Sequence, residues 1–184
     1  TAIDSAPCSD DEVLDALFSA SFFGCSKKQG TSLRMPLATC TPTALCAGGC
    51  YAHDVLDAAP NAMVRGVING WIARRFEEGS DGQRSEILSR LEKHTKKAVR
   101  HALRELDGLP TDFSRRAFIR FSHVGEITRY PAFANALAEQ VKHLSDSLVD
   151  CVVYTRHKNA KLLNPDLWII NFTLDPVSLE REAW

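Results

Sequence analysis

Apolar positions recur at helical spacing in some stretches of the chain and collapse into short continuous runs in others. After the capping-box pattern Ser9-Asp-Asp-Glu12, the residues Val13, Leu14, Leu17, Phe18 and Phe22 predict an amphipathic helix. Met63, Val64, Val67, Ile68, Trp71, Ile72 and Phe76, following Pro60, predict a second. Beyond the polar linker Glu77–Gln83, a third runs through Ile87, Leu88, Leu91, Ala98, Val99, Ala102, Leu103 and Leu106 until Gly108 and Pro110 stop it. A fourth extends from Tyr130 to about Ser145 with Pro131 in its first turn, and a shorter one lies near Asn159–Leu163.

The continuous runs are Ala117–Phe121, Leu148–Tyr154 and Leu167–Phe172, rich in β-branched and aromatic residues, which is the pattern of buried parallel strands. Strands alternating with helices predict an α/β fold, a parallel sheet with right-handed crossovers. Upstream, Thr31–Thr39 reads as a short extended segment that Pro36 confines to an edge or an irregular strand. Gly66 and Gly70 weaken the second helix, and either admit the close approach of another backbone or a ligand or are simply tolerated there.

The extended segment leads into Cys40-Thr-Pro-Thr-Ala-Leu-Cys46-Ala-Gly-Gly-Cys50-Tyr51-Ala52-His53. Three thiols separated by loop-forming residues, with Gly48 and Gly49 letting the backbone turn back, form the arrangement that wraps a chain around a metal centre. Two other readings stay open: buried small hydrophobes, or a disulfide with one thiol left over. Cys25, and more remotely Cys8, are candidates for a further ligand.

Ligands of parallel α/β sheets bind beyond the carboxyl ends of the strands. Here those ends read Ser122-His123-Val-Gly125-Glu126, Tyr154-Thr155-Arg156-His157 and Asn171-Phe-Thr173-Leu-Asp175, and the cysteine loop is expected at the same rim. A glycine directly before a carboxylate lets a ligand approach the backbone while Glu126 accepts hydrogen bonds from an ammonium or hydroxyl. Arg156 is suited to a carboxylate or phosphate, or to an ion pair with Glu126 or Asp175. His123, and after it His53 and His157, are candidate proton carriers or metal ligands.

Composition adjusts this picture only at the edges. A chain of 184 residues, 45% hydrophobic, can bury one core without disulfides, so a single domain over residues 1–184 is expected. A net charge of −1 argues against a dedicated nucleic-acid surface. The face carrying Lys93, His94, Lys96, Lys97, Arg100, His101 and Arg104 is either a solvated surface or a local contact for a phosphate backbone. No apolar run is long enough to span a membrane, and the start has no secretory signal, so the expected location is cytoplasmic, with six reduced cysteines. Because the sequence opens without Met and stops just after the apparent start of another helix, its ends are expected to be those of a fragment or a trimmed chain.

Two resemblances arise from these residues. Thr39-Cys40 through Cys50-Tyr51-Ala52, Phe118–Glu126 and Val153–Arg156 resemble the successive motifs of the phage-associated gene-product-88 family, over roughly Thr31 to Asp175; that family often has aspartate where Glu126 stands. The architecture is also similar to that of radical S-adenosylmethionine enzymes, which implies a partial parallel (β/α) barrel, here with an N-terminal helical extension over residues 1–30. The usual spacing there is C-x3-C-x2-C, against C-x5-C-x3-C in this chain.

The second resemblance implies that Cys40, Cys46 and Cys50 bind three irons of a [4Fe–4S] cluster. The fourth iron is then open to the amino and carboxylate groups of S-adenosylmethionine, with Val124-Gly125-Glu126 in the amino-binding position. Tyr51, Gly125, Glu126, Thr155 and Asn171 become cofactor contacts, and Glu126, His123 and Arg156 the catalytic candidates. Reductive cleavage of this small-molecule cofactor to a 5′-deoxyadenosyl radical would start radical chemistry on a substrate the sequence does not specify, with a reductant protein as partner. The competing expectations are a zinc-stabilised binding module on Cys40, Cys46, Cys50 and either His53 or Cys25, and an iron–sulfur protein without S-adenosylmethionine acting in electron transfer, sulfur handling or nucleic acid processing.

Overall fold

The computed structural model describes residues 10–19, 21–26, 30–40, 60–107, 116–121 and 124–172. Its elements in chain order are helix α1 (Asp10–Ser19), strands β1 (Phe23–Ser26) and β2 (Gly30–Leu33), helices α2 (Pro60–Glu78) and α3 (Asp81–Asp107), strand β3 (Ala117–Phe121), helix α4 (Pro131–Leu144), and strands β4 (Val149–Thr155) and β5 (Trp168–Phe172). Three 3-10 turns, Leu37–Thr39, Ile127–Arg129 and Lys158–Leu162, follow the carboxyl ends of β2, β3 and β4. The short helix expected near Asn159–Leu163 is the last of these turns.

The five strands form one mixed sheet in the order β1-β2-β3-β4-β5, with β1 antiparallel to β2 and every other pair parallel. The parallel α/β sheet is therefore as expected, but the sheet is open and does not close into a barrel. The β1–β2 hairpin is an addition to the expected set. Gly24-Cys25-Ser26 reads as loop, yet Phe23 pairs with Leu33 and Cys25 with Thr31. Part of the stretch expected as a helical extension is thus an edge strand of the sheet. Helix α1 ends at Ser19, short of Phe22, which enters the core from the bend before β1 and meets Phe23 and Phe133 edge to face.

Burial follows the sheet pleat. Ala117, Ile119 and Phe121 on β3, Val149, Cys151 and Val153 on β4, and Trp168 on β5 point into the core, where α3 and α4 pack. On the other face Phe118, Tyr154 and Ile169 are exposed, and no described element covers them. Asp150 and Val152 of β4 are nonetheless buried on that face, so the expectation of strands buried on both faces holds for most of β4 and fails at Phe118 of β3 and Ile169 of β5. With strands in sequence order, right-handed crossovers place their helices on the same side, which leaves the second side open.

Two cross-links position the ends of these elements. Asn69 of α2 is fully buried, and its Nδ2 donates to Phe22 O at 3.1 Å and to Arg34 O at 2.7 Å, tying the helix to both arms of the hairpin. Glu77, at the end of α2, accepts the Phe133 N–H at 3.1 Å, so a carboxylate satisfies one of the orphan donors in the first turn of α4.

Candidate functional site

The segment Met35-Pro36 leaves β2 and launches the cysteine loop, and glycines hold it from two sides. On α2, a Cβ at Gly70 would meet the Pro36 ring at 2.5 Å and one at Gly66 would meet Met35 O at 3.2 Å. On the β3 side, Gly125 has φ +73°, and a Cβ there would lie 2.6 Å from the Met35 carbonyl and from Pro36 O. Only glycine supplies both that backbone conformation and that space. Met35 N donates to Val124 O at 2.7 Å, extending the contact between the β2 and β3 ends. Of the two readings of Gly66 and Gly70, close approach of a backbone is the one observed. Gly125 serves the same purpose, so the room it makes is taken by the chain itself and not by a ligand.

Beyond Pro36 the 3-10 turn brings Thr39 against the β3 end. The buried Thr39 hydroxyl donates to Pro36 O at 2.6 Å and accepts the Glu126 N–H at 2.7 Å. Cys40 follows directly and is half-buried. The first thiol of the loop and Glu126 thus belong to one rim, as the strand-end argument expects.

The Glu126 carboxylate turns toward β4. Its Oε2 accepts from Thr155 Oγ1 at 2.7 Å and Thr128 Oγ1 at 3.1 Å, and its Oε1 receives the Arg156 N–H at 3.5 Å. Burial pushes the Glu126 pKa above the usual carboxylate value, and these three hydrogen bonds together with the Arg156 charge pull against that rise. Thr155 is itself fully buried and also accepts the His157 N–H at 2.9 Å.

The other expected site residues divide. Asn171 pairs with Tyr154, so it projects from the sheet face opposite to Thr155 and does not join the Glu126 cluster. His157 Nδ1 accepts the Asn159 N–H at 3.1 Å, capping the turn after β4, and burial with the nearby Arg129 and Lys158 lowers its pKa. The cap occupies Nδ1, so that nitrogen is not open to a metal or a transferred proton. Cys46, Cys50, Tyr51, His53 and His123 lie outside the described residues, as does Cys8.

Beside the launch segment, α2 and residues 34–38 enclose a cavity of about 210 Å³, lined by Pro36, Leu37, Ala62, Met63, Val67 and Val124 among others. It is apolar and adjoins the turn that precedes Cys40. Sequence reasoning missed it, since it is made by the same glycine stripe on α2 that admits Met35-Pro36.

Cys25 takes no part in this rim. It pairs with Thr31 at the amino end of β2, while Cys40 lies past the carboxyl end, and its Sγ faces His101 of α3. It is therefore a poor candidate for completing a centre on Cys40. On the expected basic face, Lys96 pairs with Glu92 and His94 Nε2 lies 2.9 Å from Phe18 O, so part of that face is bound within the chain.

Fold and rim together describe an open-sheet α/β protein whose thiol-bearing segment starts against the half-buried, hydrogen-bonded Glu126 carboxylate. Compared with models of protein families, with curated proteins and with solved structures, the chain matches none.

Proposed function

We propose that this chain is an iron–sulfur protein in which Cys40, Cys46 and Cys50 hold a [4Fe–4S] cluster at the carboxyl rim of the sheet, with S-adenosylmethionine bound beside it. The observation that carries the proposal is the bridge from Thr39 to Glu126, which joins the start of the thiol loop to the acidic end of β3. An open, mostly parallel sheet with strands in sequence order supports a radical-enzyme-like half-barrel arrangement.

The residues present allow a fit test at Glu126. An ionised carboxylate offers about four acceptor positions, and among the described residues three donors reach this one, which leaves a position on Oε1 for an ammonium group. Gly125 contributes by packing, not by contact with the cofactor. When bound, cluster and cofactor supply one-electron cleavage of a sulfonium and hydrogen abstraction from substrate. The chain's own work is different. Thr39 and the glycine grip fix where the loop begins, and Thr128 and Thr155 orient Glu126.

Anaerobic purification followed by iron, sulfide and zinc analysis tests the reading. Brown protein with roughly four irons and four sulfides per chain, lost on Cys40→Ala, is the expected result. Colourless protein whose zinc is lost on Cys40→Ala would instead establish a closed structural site on the loop thiols.

A further inference from the structure

At the opposite end of β2 a second set of metal-ligand side chains converges, independent of the rim. Cys25 on β1 and His101 and Glu105 on α3 bring one ligand atom each within 4.8 Å of one another. His101 and Glu105 stand i, i+4 on a helix and so share a face, which the edge strand β1 meets with its thiol. Cys25 Sγ lies 2.9 Å from His101 Nε2, and Glu105 Oε1 lies 3.4 Å from His101 Nδ1.

Two features go beyond side chains that merely meet. The buried Thr31 places Oγ1 at 3.1 Å from His101 Nδ1, within hydrogen-bond reach, and leaves Nε2 as the nitrogen nearer the thiol. Gly30 has φ +64°, and a Cβ there would come within 3.0 Å of Glu105 Oε2. The hairpin thus leaves a recess that the carboxylate occupies, next to a small cavity lined by Cys25, Thr31, Lys97 and His101 among others.

We propose that Cys25, His101 and Glu105 form a divalent zinc-type metal site that staples the β1–β2 hairpin to α3. One sulfur, one imidazole nitrogen and one carboxylate oxygen are the donor types zinc takes, and three protein ligands leave a fourth position for water or a small ligand. Binding releases the thiol proton to solvent, with no change in oxidation state. Thr31 is a positioning residue that orients the imidazole.

Cobalt(II) is the probe, because a thiolate ligand gives it a charge-transfer band. In the full chain with Cys40, Cys46 and Cys50 all replaced by Ser, about one equivalent should bind with that band, and adding Cys25→Ser should abolish it. In the otherwise wild-type chain, which keeps every loop thiol, His101→Gln should remove about one equivalent, and Thr31→Val should weaken the site about tenfold with the band retained. No band in a folded loop-thiol-free chain would overturn the proposal. So would unchanged stoichiometry in the His101→Gln chain, which applies even if the triple replacement does not fold. Neither result bears on the cluster at the rim.

Discussion

The hydroxyl of Thr39 accepts the backbone N–H of Glu126 at 2.7 Å across 87 residues of sequence, and it holds the start of the cysteine loop against the end of β3. Thr39→Val keeps the shape but leaves that buried N–H without its partner. A loss of about 1–2 kcal/mol in urea unfolding is expected, with Thr39→Ser restoring most of it.

The glycine grip on Met35-Pro36 predicts a larger effect at Gly125. Gly125→Ala places a Cβ into backbone atoms at a positive φ, so a loss of about 2 kcal/mol or more is expected. Gly82→Ala is the control, because nothing lies within 4 Å of its Cβ and it sits in the first turn of α3. Its stability should stay within about 0.5 kcal/mol of wild type.

Much of this was legible in the sequence and some was not. The periodicity of α3 and α4 and the apolar runs of β3, β4 and β5 follow from burial on one face, whereas in α2 Ile72 and Phe76 are buried but Met63, Val64 and Val67 of the same stripe are exposed. Those elements arise close to where the pattern predicts them. The β1–β2 hairpin escaped because Phe22 and Phe23 continue the helical stripe of α1, and Gly24-Cys25-Ser26 has weak strand propensity; pairing with β2 supplies what local propensity lacks. At the site, the proximity of Cys40 to Glu126 followed from the rule of strand ends. The separation of Asn171 from Thr155 required the register of β4 and β5. Gly125 next to Glu126 signals a close approach, but sequence does not say what approaches, and here it is Met35.

Asn69 predicts the cost of losing a buried polar clamp. Asn69→Ala frees Phe22 O and Arg34 O inside the fold, and a loss of about 2–3 kcal/mol is expected in denaturant titration.

Glu126 has a pH signature. Its folded pKa lies above the unfolded value of about 4.5, so the folded state binds the proton more tightly. Its contribution is fully present below the unfolded pKa and is lost as pH rises through the folded pKa. Glu126→Gln, which keeps a carbonyl for Thr128 and Thr155, should remove that loss. The difference in Tm, variant minus wild type, should grow from acid toward neutral pH. A difference that shrinks over the same range would mean that the carboxylate is stabilised in the fold, not strained by burial.

Cys151 separates the thiols by environment. It is fully buried in β4, and burial pushes its pKa up to about 12, so it should resist alkylation in the native protein. Cys151→Ala should leave iron and sulfide content unchanged. Loss of the cluster in that variant would contradict the assignment of the three loop thiols.

The most direct measurement is the electron paramagnetic resonance spectrum of the dithionite-reduced, anaerobically purified protein, recorded with and without S-adenosylmethionine, for wild type and Glu126→Gln. A cluster signal that shifts on adding the cofactor to wild type, and shifts only at several-fold higher cofactor concentration in Glu126→Gln, is the predicted result. A cluster spectrum that ignores the cofactor in wild type, or no iron signal at all, would contradict a cofactor-binding cluster beside Glu126.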